Sequence, residues 1–212
     1  MQTIYKTAVL GGSGKSGFYL INHLLNLGKQ LKMLHRNPDN IKIQNPLLEI
    51  VKGDARDPQA VQQLIEGCDA VISTLGQPKG ESSIFSDATR NVIHAMDLFR
   101  IKRYIVTTGL NVDTPGDEKS EYTAAATEWM KTNYPKTTAD KQGEWEILNK
   151  SGLDWTMVRL PLIELTENKN DIRVSLVDCP GEKISATSLA IFLVEQLNDN
   201  TYYRQSPFIS NA

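Results

Sequence analysis

Apolar residues along this chain come in two rhythms that take turns, short continuous runs and longer stretches at helical spacing. Residues 4–10 predict a first strand ending in Ala8-Val9-Leu10, and Phe18, Ile21, Leu24 and Leu25 then mark one face of a helix closed by Gly28. Leu31-Lys32-Met33-Leu34 and Leu47-Leu48-Glu49-Ile50-Val51 are the second and third strands. Asp57 and Pro58 read as the cap and first turn of a helix over Val61, Leu64 and Ile65 that stops at Gly67. A fourth strand lies within Asp69 to Gly76, followed by a long helix with Phe85, Ala88, Val92, Met96 and Phe99 on one side, and Arg103 to Gly109 is a fifth. Five such alternations predict an α/β fold, a doubly wound parallel sheet with right-handed crossovers and helices on both faces.

Residues 110–136 interrupt the rhythm with a turn at Thr114-Pro115-Gly116-Asp117 and a short helix over Glu121 to Thr132. A helix at 138–150 and a sixth strand at Asp154 to Arg159 restore it. The remainder offers a strand at 172–177, a helix at 187–198 carrying Leu189, Phe192, Leu193 and Leu197, and a short end segment Pro207-Phe208-Ile209. That is too little for an independent domain. Residues 1–212 are therefore expected to form one domain, with 110–136 a substrate-covering loop and 160–212 a small C-terminal extension.

The first strand runs straight into Gly11-Gly12-Ser13-Gly14-Lys15-Ser16-Gly17 and a helix begins at once. Glycines let the backbone turn sharply and approach a ligand, and the first amides of the helix then face an anion, with phosphate the expected one. A P-loop would require a glycine at position 9, where Val9 stands. Both Gly12-x-Gly14-x-x-Gly17 and Gly11-x-x-Gly14-x-x-Gly17 instead match dinucleotide-binding spacings, in the strand-to-helix context those spacings need. In such folds an acid at the end of the second strand takes the ribose 2′-hydroxyl of NAD, whereas an arginine accepts the 2′-phosphate of NADP. Arg36 occupies that place and the nearest acid, Asp39, lies beyond Pro38, so NADP is expected in preference to NAD. Asp54, Gly76, Thr107 and Thr108 also stand at carboxyl ends of strands, where open α/β sheets bind their ligands.

With 23 Lys and Arg against 25 Asp and Glu, the net charge is −2 and no basic run occurs, which argues against nucleic acid or an acidic membrane surface as partner. No apolar run approaches the roughly 20 residues of a membrane span, and the first residues carry no basic-then-apolar leader, so a soluble cytoplasmic protein is expected. Cys68 and Cys179 read as buried thiols, and His23, His35 and His94 are too scattered for a metal site. Trp129, Trp145 and Trp155 read as packing residues.

Taken together, the glycine turn, the Arg36 strand end, Gly53-Asp54, Ser73-Thr74-Leu75-Gly76, Ile105-Val106-Thr107-Thr108-Gly109 and Ser151-Gly152-Leu153-Asp154-Trp155-Thr156-Met157-Val158-Arg159 resemble the atypical short-chain dehydrogenase/reductase superfamily, with its Rossmann-like fold. The nearest likeness is to its NmrA-like and flavin-reductase or biliverdin-reductase-B-like groups. The resemblance implies that Ser13, Gly14, Lys15 and Ser16 bind a pyrophosphate, Arg36 the adenosine phosphate, and Asp54 with Ala55 the adenine edge. It puts Leu75 and Gly76 beside the riboses and Thr107 and Thr108 near the nicotinamide. Lys141 corresponds to the lysine of the superfamily's Tyr-x-x-x-Lys pair, holding a ribose, with a surface helix lysine as the plainer alternative; Thr108 and Lys141 are the candidate catalytic residues.

Thr137 stands where the tyrosine would be, and a threonine hydroxyl is a far weaker acid than the phenol that protonates a carbonyl oxygen as hydride arrives. Tyr134 or Tyr122 could take that part if the loop folds back. Flavin-reductase-like members manage without the tyrosine, yet the serine they carry after the fifth strand is Gly109 here and their histidine after the sixth is Leu162. Two functions remain. One is an NADP-dependent oxidoreductase passing hydride to a flavin, quinone or small carbonyl compound bound under 110–136, with Leu162 and Ile163 as walls. The other is a non-catalytic NmrA-like sensor of nucleotide redox state acting on a protein partner.

Overall fold

The computed structural model describes residues 6–212; Ile4 and Tyr5 of the expected first strand lie outside them. The strands are β1 (Lys6–Leu10), β2 (Gln30–His35), β3 (Leu48–Lys52), β4 (Ala70–Ser73), β5 (Arg103–Gly109), β6 (Asp154–Leu160), β7 (Leu162–Glu164), β8 (Ile172–Ser175), β9 (Lys183–Ser185) and β10 (Phe208–Asn211). The helices are α1 (Lys15–Asn26), α2 (Pro58–Ile65), α3 (Phe85–Leu98), α4 (Glu121–Asn133), α5 (Pro135–Lys150) and α6 (Ala186–Glu195). Eight strands form one sheet in the order β3-β2-β1-β4-β5-β6-β10-β8, parallel except for the β10–β8 pair. β7 and β9 make a separate parallel pair. Among the described residues no helix is long and apolar enough to cross a membrane.

Both faces of the sheet are buried, so successive strand residues serve opposite layers. Ala8 and Leu10, Tyr104 and Val106, and Met157 pack with Val61 and Leu64 of α2, Val92 and Met96 of α3 and Leu148 of α5. Val9, Ile105 and Val158 pack instead with Leu20, Ile21 and Leu24 of α1 and Leu189 and Leu193 of α6. Phe18, read with Ile21 and Leu24 on one face of α1, is 49% exposed, because the inward face runs through Gly17, Leu20, Ile21 and Leu24. Asp57 does cap α2, accepting a hydrogen bond from the Gln59 amide at 2.9 Å.

Two polar contacts, one buried and one partly buried, fix the irregular parts. Arg159 on β6 is fully buried, and its Nη1 lies 2.7 Å from both Asp117 oxygens while its Nε donates to the Ser206 carbonyl at 2.8 Å. The guanidinium also stacks 3.5 Å from the Phe208 ring, so it ties the 110–120 segment to β6 and β10. At the start of α3, Ile84 offers no capping side chain, and Asp140 of α5 supplies one, accepting from the Phe85 amide at 2.8 Å, the Ser86 amide at 3.2 Å and the Ser83 hydroxyl at 2.5 Å. Burial alone would raise the Asp140 carboxyl, but these hydroxyls and amides outweigh it and hold the group below the ordinary Asp range.

Breaking a buried ion pair leaves an uncompensated charge, so Asp117→Ala is expected to lower unfolding free energy by roughly 3–5 kcal/mol in urea titrations. A loss under about 1 kcal/mol would place Asp117 among ordinary surface pairs. Asp140→Asn should cost about 1 kcal/mol at neutral pH, as the loss of a helix cap does. A carboxyl depressed by folding stabilises above its unfolded pKa and loses that contribution as pH falls through the folded one. The difference between wild type and Asp140→Asn should accordingly narrow below about pH 4, and a gap that widens there would refute the capping role.

Candidate functional site

The carboxyl ends of β1 to β4 open on one cleft of about 470 Å³, where an open α/β sheet places its ligand. Gly11, Ser13 and Gly14 line it after β1, Arg36 after β2, Asp54 and Ala55 after β3, and Leu75 and Gly76 after β4. Eight of the residues singled out in the sequence are thus brought to one place.

The turn after β1 is shaped by close approach. A Cβ on Gly11, whose φ is +76°, would lie 2.6 Å from the Thr74 carbonyl, and one on Gly17 would lie 2.1 Å from the Gly11 oxygen. The first helix therefore rests directly on the turn. The Gly14 amide donates to the Gly11 carbonyl at 2.9 Å, and Gly14 is the N-cap of α1. It offers no capping side chain, and the first turn of α1 holds no acid. The opening amides of a 12-residue helix are left for an outside acceptor, at the positive end of its dipole, which fits a diphosphate. Lys15, which is exposed, and Ser16 open this helix beside the cleft, and Gly17 is buried beneath it.

At the far end Arg36 Nη1 lies 2.7 Å from Glu81 Oε1 and 4.0 Å from Asp54 Oδ2. Arg56 Nη1 lies 3.0 Å from Glu81 Oε2 and 3.6 Å from Asp54 Oδ2. The hydrogen bond from Arg36 is the main cause holding the Glu81 carboxyl below its ordinary range. Sequence reasoning found Arg36 and Asp54 but missed Arg56 and Glu81. Arg56, two residues past the end-of-strand Asp54, carried a readable signal; Glu81, in a polar loop, carried none.

Thr107, Thr108 and Lys141 do not line this cleft. The Thr107 hydroxyl donates to the Ser73 carbonyl at 3.4 Å, and the Thr107 carbonyl accepts from Lys141 Nζ at 3.0 Å. Lys141 is not the surface lysine of the plainer alternative. It is 7% exposed, 2.9 Å from Glu144 Oε2 and 3.6 Å above the Phe85 ring. Glu144 also accepts from the Thr89 hydroxyl at 2.8 Å, and burial pushes its carboxyl above the ordinary Glu range. The Thr108 hydroxyl is buried and has no hydrogen-bond partner among the described residues.

Thr137 lies 3.5 Å from Gln77, at the cleft's edge, while Tyr122 and Tyr134 are about half exposed on α4 and at its junction with α5, away from the lining. Residues 110–136 carry α4, and a second cleft of about 320 Å³ lies there, bordered by Asn111, Lys131, Thr138 and Gln142. Trp155 is core and Trp145 packs against it, whereas Trp129 is exposed and meets Tyr134 edge to face.

The fold has counterparts among known proteins. A short-chain dehydrogenase/reductase from Veillonella parvula, solved in complex with NADP, matches with a TM-score of 0.79 over 99% of this chain and 95% of that one at 17% identity. ChuY, an anaerobillin reductase from Escherichia coli O157:H7, matches with a TM-score of 0.79 over 97% of each chain at 18% identity. Cinnamoyl-CoA reductase 1 from Petunia hybrida is 24% identical across 87% of this chain, which spans 64% of that enzyme's length. Residues 11–200 match the model of a family described as NAD(P)H-binding. With nine-tenths of its length inside that match, the chain belongs to the NAD(P)H-binding family.

Proposed function

We propose that this protein is an NADP(H)-dependent oxidoreductase of the atypical short-chain dehydrogenase type, acting on a flavin, quinone or small carbonyl acceptor. One observation carries the reading: the uncapped, acid-free opening of α1 and the Arg36 guanidinium line a single cleft at the strand ends. A dinucleotide phosphate has its anionic groups at two such stations. Ser13, Gly14, Lys15 and Ser16 would hold the diphosphate, on a turn that Gly11 and Gly17 keep compact. Arg36 would hold the 2′-phosphate, Asp54 and Ala55 the adenine edge, and Leu75 and Gly76 the riboses. NAD lacks the group that Arg36 serves and would bind more weakly.

When bound, the reduced cofactor supplies the hydride. The Thr108 hydroxyl, buried and without a hydrogen-bond partner among the described residues, stands at the strand end beside which the nicotinamide or the acceptor would lie. Lys141 acts as a positioning residue, fixing the end of β5 through the Thr107 carbonyl. Thr137 in place of a phenol limits proton delivery to water or a hydroxyl, which suits acceptors whose reduction needs no strong acid. Residues 110–136 would cover the acceptor, with Leu162 and Ile163 at its edge.

The same pair of observations, Thr137 and the Glu144-bound ammonium of Lys141, also favours a second reading, a non-catalytic sensor of nucleotide redox state that signals to a protein partner. Calorimetry separates the two, because a sensor distinguishes NADP from NADPH whereas an enzyme binds both and turns over.

Titration with NADPH and NADH should show preference for NADPH, and Arg36→Ala should raise the NADPH Kd by about ten- to a hundredfold while moving NADH little, the loss expected for charged hydrogen bonds. NADPH consumption with a panel of flavins, quinones and aldehydes tests the chemistry. Absence of binding by either nucleotide would overturn the proposal, and tight binding without turnover would leave the sensor.

A further inference from the structure

Four charged side chains meet where Arg36 and Asp54 line the cleft, with Arg56 and Glu81 in contact with them from beside it, and the function proposed uses only the first two. The other two complete a specific geometry. Each guanidinium holds a different oxygen of the same carboxylate, Arg36 taking Oε1 of Glu81 at 2.7 Å and Arg56 taking Oε2 at 3.0 Å. Asp54, within 4.0 Å of both arginines, offsets their mutual repulsion. Two arginines converging on two oxygens of one anionic group is the arrangement that suits a phosphomonoester, whose oxygens accept parallel guanidinium hydrogen bonds.

Glu81 reaches this position from the segment between Gly76 and Ser83, which has its own ties. Gln77 Nε2 donates to the Glu81 carbonyl at 3.0 Å, Arg56 Nη2 donates to the Ser82 carbonyl at 2.8 Å, and the Ser83 hydroxyl is fixed on Asp140. The segment is anchored at Ser83 and fastened across the cleft by Glu81. That fastening is an exposed ion pair, weak enough to exchange for another anion. The two arginines and two acids sum to zero charge, and withdrawal of Glu81 leaves the cluster one positive charge in excess.

We propose that Arg36 and Arg56 form a two-guanidinium clamp for the 2′-phosphate of the cofactor, and that Glu81 is its built-in competitor, a carboxylate that holds the clamp until a phosphate displaces it. The proposal rests on the NADP reading and deepens it. Arg56 and Glu81 set the preference between NADP and NAD in opposite directions. NADP frees the Glu81 carboxylate from both guanidiniums, and NAD leaves it held.

Calorimetric titration of wild type, Glu81→Gln and Arg56→Gln with adenosine 2′,5′-bisphosphate, 5′-AMP, NADP and NAD tests this, with melting curves confirming that the variants remain folded. Glu81→Gln should tighten NADP and the bisphosphate by about threefold or more, the yield of removing an exposed ionic competitor, and leave 5′-AMP and NAD within about twofold. Arg56→Gln should weaken NADP and the bisphosphate by about tenfold or more, again with 5′-AMP and NAD little moved. If wild type binds NADP and both variants keep its NADP-to-NAD ratio, the clamp is refuted while the cofactor reading stands. Weaker NADP binding by Glu81→Gln would make Glu81 a supporter of the phosphate site and refute the competition. Failure of wild type to bind NADP or NAD would end both proposals.

Discussion

The backbone of Gly11 passes the end of β4 too closely to carry a side chain, and the first turn of α1 rests on Gly11 too closely for one at Gly17. That double contact brings the opening of the helix to the carboxyl edge of the sheet. Its amides, with neither capping side chain nor an acid in the first turn, become an anion-seeking feature of the cleft. Added bulk at either position would push the helix off the turn and the amides away from the cleft. The parallel sheet, the crossovers and the buried layers serve to hold this arrangement still.

Two polar fixtures lie beyond it along the sheet, at β5 and β6. At β5 Asp140 caps α3 from α5, and Lys141 of the same helix is drawn inward to Glu144 and the Thr107 carbonyl. One turn of α5 thereby fixes both the start of α3 and the end of β5. At β6 Arg159 gathers Asp117, the Ser206 carbonyl and the Phe208 ring, joining the irregular 110–120 segment to the C-terminal strands. By contrast the end of the cleft at β2 and β3 is held by partly exposed charges between Arg36, Arg56, Asp54 and Glu81, which can rearrange around a ligand.

Elements whose residues announce themselves locally were legible. The fifth strand runs over the expected Arg103–Gly109, and Asp57 and Pro58 open α2 as their chemistry requires. Phe18 misled because a stripe read from large apolar residues ignores the small Gly17, which sets the inward face. The end segment at Pro207-Phe208-Ile209 gave no sign that it would lie between β6 and β8, since a four-residue strand owes its place to long-range pairing. β7 and β9, three residues each and mixed in character, are invisible for the same reason. The glycine turn and Arg36 could be found from spacing. Glu81 could not, because its partners lie 45 and 25 residues away and meet it only in the fold.

The central claim is that the amides opening α1 receive the cofactor's diphosphate. Backbone amide chemical shifts recorded by nuclear magnetic resonance during an NADP titration test it most directly. The account predicts that Ser13, Gly14, Lys15, Ser16 and Gly17 shift strongly and saturate together with the residues of the Arg36 strand end. Saturable binding that leaves those five amides unmoved would contradict it.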